Sequence, residues 1–218
     1  IAISVTACLI VSGMIAFLLF EHNNPLTIQG YSFAEKIEAS FFQSVTTRTA
    51  GFATIPQENL TDSSAIVSLI LMFIGGSPVG TAGGIKTVTF LVMIVTAISV
   101  IRNRRTANVF GRQISDEAIR KAVGVFVMSF CVVAVSTILL SYVTNADFLD
   151  IIYETVSATA TVGLTRNLTP SLNTSGKLII TIAMFLGRVG PISLAVALNK
   201  NKGSENIVSN PVEDIVVG

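Results

Sequence analysis

Residues 157–165 read SATATVGLT and residues 46–52 read TTRTAGF, two runs in which threonine, alanine and glycine displace the bulky side chains common elsewhere in the chain. Sliding the sequence along itself by 112 positions brings the two into register. Thr47, Thr49 and Gly51 then fall on Thr159, Thr161 and Gly163, Leu60 on Leu172, and Met72, Phe73 and Gly75 on Met184, Phe185 and Gly187. A fixed offset without slippage is the mark of a duplicated unit.

The medium in which such a unit folds follows from composition. Of 218 residues, 51% are hydrophobic and 12% charged, with a mean hydropathy of +0.73, where a soluble domain carries about 25% charge. Disorder, a collagen-like fibre and a disulfide scaffold are excluded by the abundant apolar residues, by 16 glycines without period and by only two cysteines, Cys8 and Cys131, each inside an apolar run. Four apolar regions remain: 1–20, 63–101 with Lys86 its only charge, 122–146, and 178–199 with Arg188 its only charge. A helix crossing about 30 Å of hydrocarbon needs about 20 residues, so each region is expected to span. The second is nearly twice too long, and its middle, GGSPVGTAGG at 75–84, predicts a broken element because Gly and Pro interrupt the helical hydrogen-bond ladder.

Basic residues gather between the second and third regions, at Arg102, Arg104, Arg105, Arg112, Arg120 and Lys121, and again at Lys200 and Lys202. The positive-inside rule makes the loop 102–121 and the C-terminus cytoplasmic. The opposite side carries Glu21, Glu35, Glu38, Asp62, Asp147, Asp150 and Glu154, an acidic face that concentrates cations. Two crossings per unit mean that both copies enter the membrane from the same side, as parallel rather than inverted repeats.

Between the crossings of each unit lies a segment too short and too polar to span, 33–47 and 148–159. Ala34, Ile37, Phe41, Ser44 and Val45 share one face at helical period, as do Phe148, Ile151, Ile152 and Val156, which predicts two half-helices, the second capped by Asp147. Each runs into one of the small-residue runs. Non-helical backbone at membrane depth survives only where it is buried in protein or lines water. Carbonyl rings in TVGYG loops replace the hydration shell of potassium in channels. Thr161, Val162, Gly163 and Leu164 differ from the first four of those letters only at the last, while Thr49, Ala50, Gly51 and Phe52 keep the Thr and the Gly. These eight residues are the candidate filter. Arg48, one residue earlier, is expected to turn away from a cation path and to pair behind it with carbonyls or an acid, Glu154 being a candidate.

TTRTAGF, GGSPVGTAGGIKT at 75–87, SATATVGLT and GRVGP at 187–191 together resemble the potassium uptake subunits of the Trk/Ktr/HKT superfamily, of the bacterial KtrB type. The resemblance implies an all-α integral membrane fold of tandem span, half-helix pore loop, span units arranged as in tetrameric potassium-channel-like pores. On this reading 1–102 is the third unit of four, truncated at its start, 103–121 a cytoplasmic connection, 122–200 the fourth unit and 201–218 a cytoplasmic tail. Two units cannot close a four-fold ring, so either a preceding half belongs to the same polypeptide or two copies associate.

The resemblance also makes the broken span an intramembrane gate formed by Gly75, Gly76, Ser77, Gly80, Thr81, Gly83 and Gly84, and puts Arg188 just beneath the filter as a barrier to cations. A fixed kink, and an anchor for the loop's backbone, are the alternatives for the two features. The transported ion is K+, with sodium coupling left open and a sodium-preferring or non-conducting assembly subunit as alternatives; retention of Gly51 and Gly163 favours potassium. The partners implied are the lipid bilayer of a bacterial plasma membrane, a second copy in a homodimer and a KtrA-like cytoplasmic regulatory ring that carries the nucleotide. No covalent cofactor and no nucleic acid is expected. His22 is the only histidine and has no second ligand nearby, and no nucleophile with its base lies at membrane depth, so neither a metal site nor an enzyme is expected.

Overall fold

The computed structural model describes residues 2–77, 82–104, 106–109 and 111–190. Among the described residues, seven α-helices, two 3-10 turns (Gln57–Asn59 and Thr169–Ser171) and one small hairpin make up the regular elements: α1 (Ala2–Glu21), α2 (Phe33–Thr46), α3 (Asp62–Phe73), α4 (Thr87–Ile101), β1 (Asn108–Val109), β2 (Arg112–Gln113), α5 (Asp116–Val143), α6 (Phe148–Thr159) and α7 (Thr174–Val189). Helices α1 and α5 are long and apolar enough to cross a membrane, while α3 and α4 are shorter apolar helices. Val11, Ile15 and Leu19 on α1 and Val127, Phe130 and Ile138 on α5 are exposed. So are the two free thiols, Cys8 and Cys131. Faces of this kind suit hydrocarbon rather than water.

Local chemistry sets most of the helix ends. At the start of α2 the Ser32 hydroxyl accepts from the Glu35 N–H, and the Glu35 carboxylate accepts the Ser32 N–H at 2.7 Å, a reciprocal capping box. Thr61 and Asn173 cap α3 and α7 by accepting from Ser64 N–H and Gly176 N–H. Asp147 occupies the cap position of α6, but its side chain makes no capping hydrogen bond. Helix α5 begins at Asp116 and not near residue 122, because Ser115 caps it, Asp116 and Glu117 suit the positive end of its dipole, and Lys121 pairs with Glu117. At 28 residues it is about 42 Å long, so its first turns project beyond the hydrocarbon.

The region 63–101 is broken, as its glycines predict. Helix α3 stops at Phe73 and α4 starts at Thr87, and the two ends are drawn together by an Ile74–Ile85 bridge, with Ile85 N–H donating to Phe73 O at 3.0 Å and Thr87 N–H to Gly76 O at 3.2 Å. The last apolar region is not one uninterrupted helix over 178–199. Helix α7 runs from Thr174 to Val189 and ends at Gly190, whose φ of 83° leaves the helix immediately before Pro191, the position where a following proline disfavours helical backbone. Expectations for Gly80, Thr81 and the tail 201–218 lie outside the described residues.

Helix α1 packs on α2, α3 and α4, and α5 packs on α4, α6 and α7. The core where the halves meet joins Ala65 and Met72 of α3 to Val133 of α5, to Tyr153 and Val156 of α6, and to Val162 and Leu164 beyond it. Helix α6 is therefore surrounded. Its last seven residues, Tyr153 to Thr159, are all buried.

Candidate functional site

Helices α2 and α6 each end in a 3.6-residue turn that hands the chain to one of the small-residue runs. Thr49 has φ of 67° and Gly51 79°; Thr161 has φ of 55° and Gly163 91°. A left-handed residue at every second position is open to glycine and costly for threonine, by about 1–3 kcal/mol. Both loops adopt it at the same two places in the 112-residue register.

Three N–H groups of each loop are tied back to the helix ends. Ala50 and Gly51 donate to Thr46 O at 3.1 and 3.3 Å, and Phe52 N–H donates to Thr46 Oγ1 at 2.9 Å. In the second loop Thr161 donates to Ala158 O at 3.1 Å, Val162 to Ser157 O at 2.9 Å, and Gly163 to Ser157 Oγ at 3.2 Å. The carbonyls of 49–51 and 161–164 accept no hydrogen bond among the described residues. A backbone that satisfies its donors and leaves consecutive acceptors open presents a row of partial negative charge. Such a row suits water or a cation.

The two loops touch. A Cβ at Gly51 would stand 2.3 Å from Val162 O, so this close approach requires glycine. The broken element reaches both: Gly83 N–H donates to Thr161 Oγ1 at 2.9 Å, and Arg48 Nη2 donates to Gly75 O at 3.1 Å. Arg48 thus turns behind the loops onto a carbonyl, while its Nη1 is buried and finds no hydrogen-bond partner among the described residues. Glu154 is not its partner. The buried Glu154 carboxylate accepts the Thr165 hydroxyl at 2.6 Å and the Thr169 hydroxyl, because the chain beyond Leu164 folds back over α6 and fills that side first. Lys86, at the cap position before α4, donates from Nζ to Ala82 O.

Thr161, Val162, Gly163, Leu164, Glu154 and Arg188 line one cavity of about 570 Å³ between α6 and α7. Arg188 lies in the last turn of α7 and is exposed. Phe52 is not drawn in with its neighbours. Its side chain is 70% exposed, whereas Leu164, at the matching place in the other loop, is 3% exposed. Gly76 approaches Thr49, Ser77 is exposed and Gly84 lies under Phe73 O.

Two groups that sequence reasoning passed over support the loops. Gln43 and Gln57 exchange amide hydrogen bonds at 2.7 and 3.1 Å, and Tyr153 Oη donates to Gln57 Oε1 at 3.0 Å, a buried network joining α2 to α6. Arg166 pairs with Asp150 at 2.7 Å. A lone charge beside a small-residue run was the signal for Arg166, which follows its run where Arg48 precedes the candidate filter residues of the other.

The TrkH family, described as cation transport protein, matches residues 1–210. The chain is 38% identical over 192 residues to the Ktr system potassium uptake protein B of Bacillus subtilis (strain 168), covering 88% of this chain and 43% of that protein. It is 36% identical over 224 residues to the potassium/sodium uptake protein NtpJ of Enterococcus hirae, covering 100% of this chain and 49% of that one. The chain thus spans about half the length of the curated relatives it matches. Its fold is similar to the crystal structure of the potassium transporter TrkH from Vibrio parahaemolyticus, with a TM-score of 0.72 at 20% identity over 91% of this chain and 43% of that one.

Proposed function

The chain belongs to the TrkH family of cation transport proteins, membrane proteins and not enzymes, and from that premise we propose that it supplies two adjoining span, half-helix, span units of a potassium-conducting pore. Residues 49–52 and 161–164 contribute half of the selectivity filter. The observation that carries this reading is the pair of loops with matched left-handed residues, N–H groups tied back and carbonyls left open. Carbonyls held in this way substitute for the water that potassium sheds on entering a narrow passage. Parallel repetition of the unit about an axis along the membrane normal turns each loop toward the same path.

Below the filter, the loop 75–84 obstructs the path and Arg188 opposes a cation resting there. The basic connection faces the cytoplasm of a bacterial cell, where it meets a nucleotide-binding regulatory ring, and the complete subunit acts as a homodimer. The units 1–102 and 122–200 are joined by the connection 103–121. Sodium is the competing ion, since one relative is a potassium/sodium uptake protein; glycine at both Gly51 and Gly163 supports potassium as the preferred one.

The test is cation uptake by the complete polypeptide in a cell that lacks its own potassium uptake. The parent protein restores potassium uptake, and Gly163→Ser raises sodium permeation relative to potassium. No uptake from a parent that reaches the membrane, or a permeability ratio unmoved by the substitution, overturns the reading.

A further inference from the structure

Arg166 follows the second filter loop by two residues, and its side chain is only 11% exposed. Nε donates to Asp150 Oδ1 at 2.7 Å, and Nη1 donates to Gln57 O at 3.4 Å and to Leu60 O at 3.3 Å. Asp150 lies in the first turn of α6, where the helix dipole favours a carboxylate. Gln57 opens the 3-10 turn that follows the first filter loop, and Leu60 closes it. One guanidinium therefore joins the chain just past the second loop, the start of the helix that delivers that loop, and the chain just past the first.

Gln57 extends the tie inward. Its side chain bonds Gln43 on α2 and Tyr153 on α6, so both half-helices share the element that Arg166 holds. Thr54, 112 positions earlier, is exposed and carries no charge. The tie is thus carried by the second unit and has no counterpart at the matching position of the first.

We propose that Arg166 is a positioning residue that fixes the separation of the two filter loops from the outer side, and so sets cation selectivity without touching the ion. The inference rests on the filter reading above. A binding constellation must be held to within about 0.5 Å to keep its preference, and the two loops also meet directly where Gly51 approaches Val162 O. Arginine suits the role because its planar fork serves a carboxylate and two carbonyls together, whereas an ammonium on a flexible stem is a point charge.

The experiment compares rubidium uptake under sodium competition for the complete transporter and for Arg166→Gln, Arg166→Lys and Gly163→Ser, each normalised to its amount in the membrane. We expect Arg166→Gln to lower the rubidium-to-sodium ratio about tenfold, the equivalent of ~1.4 kcal/mol, and Arg166→Lys to fall between it and the parent. If Gly163→Ser shifts the ratio while both Arg166 variants keep the parental value, the positioning role is overturned and the filter reading stands, even if flux of both ions falls together. If Gly163→Ser is also without effect, the filter reading falls and takes the inference with it. Should Arg166→Gln fail to reach the membrane, Arg166→Lys decides alone, a parental ratio overturning the role.

Discussion

Gly51 and Gly163 occupy the same place in the two loops, yet they need to be glycine for different reasons. Both have positive φ, 79° and 91°, which costs an L-residue about 1–2 kcal/mol. At Gly163 nothing lies within 4 Å of an added Cβ, so backbone strain is the whole cost; at Gly51 the added atom would meet Val162 O at 2.3 Å. Gly51→Ala therefore combines strain with a collision, and overpacking adds about 1–3 kcal/mol. Thermal unfolding of the detergent-solubilised complete protein is expected to rank the parent above Gly163→Ala and Gly163→Ala above Gly51→Ala. Equal losses from the two variants would mean that the loops do not press on each other as the structure has them.

Between elements, α7 lies against the C-terminal end of α6 through Gly187, where an added Cβ would stand 1.9 Å from Thr159 O. Backbone cannot yield there as a flexible side chain would, so Gly187→Ala must push α7 outward or shift the end of α6. Thr159 precedes Thr161 by one turn residue, and any shift is passed to the loop. The expected result is a loss of about 1–3 kcal/mol of stability together with reduced potassium uptake. Gly124, on the open face of α5 with nothing within 4 Å of an added Cβ, is the control: Gly124→Ala should leave both properties near the parental level. Alanine is the better helix former by about 1 kcal/mol, so comparable damage from both alanines would mean that the loss does not come from the α6–α7 approach.

At the scale of the molecule, the break between α3 and α4 is fastened to both candidate filter loops, to one through Arg48 and Gly75 and to the other through Gly83 and Thr161. The proposed filter and the proposed gate are therefore adjoining pieces of one structure. Removing residues 77–82 leaves these contact residues in place while shortening the obstruction. Potassium flux through the complete transporter is expected to rise. Unchanged or lower flux from a deletion variant present in the membrane in parental amount would make the break a fixed kink and not a gate.

Features governed by neighbours along the chain were legible in the order of the residues. The half-helices, expected over 33–47 and 148–159, are observed over Phe33–Thr46 and Phe148–Thr159 because apolar period and the onset of Thr and Gly are local properties. The interruption of the second apolar region was legible for the same reason. The early start of α5 was legible too, in Ser115, Asp116 and Glu117, but apolar content alone pointed to a later boundary. Tertiary structure alone decided which polar groups meet. Arg48 reaches Gly75 O and not Glu154, whose carboxylate is taken by Thr165 and Thr169. Arg166 reaches carbonyls 109 and 106 positions away, and Gly83 reaches a hydroxyl 78 positions away. A hydrogen bond is made over about 3 Å and its partner is chosen by packing, so no periodicity or spacing along the chain encodes it.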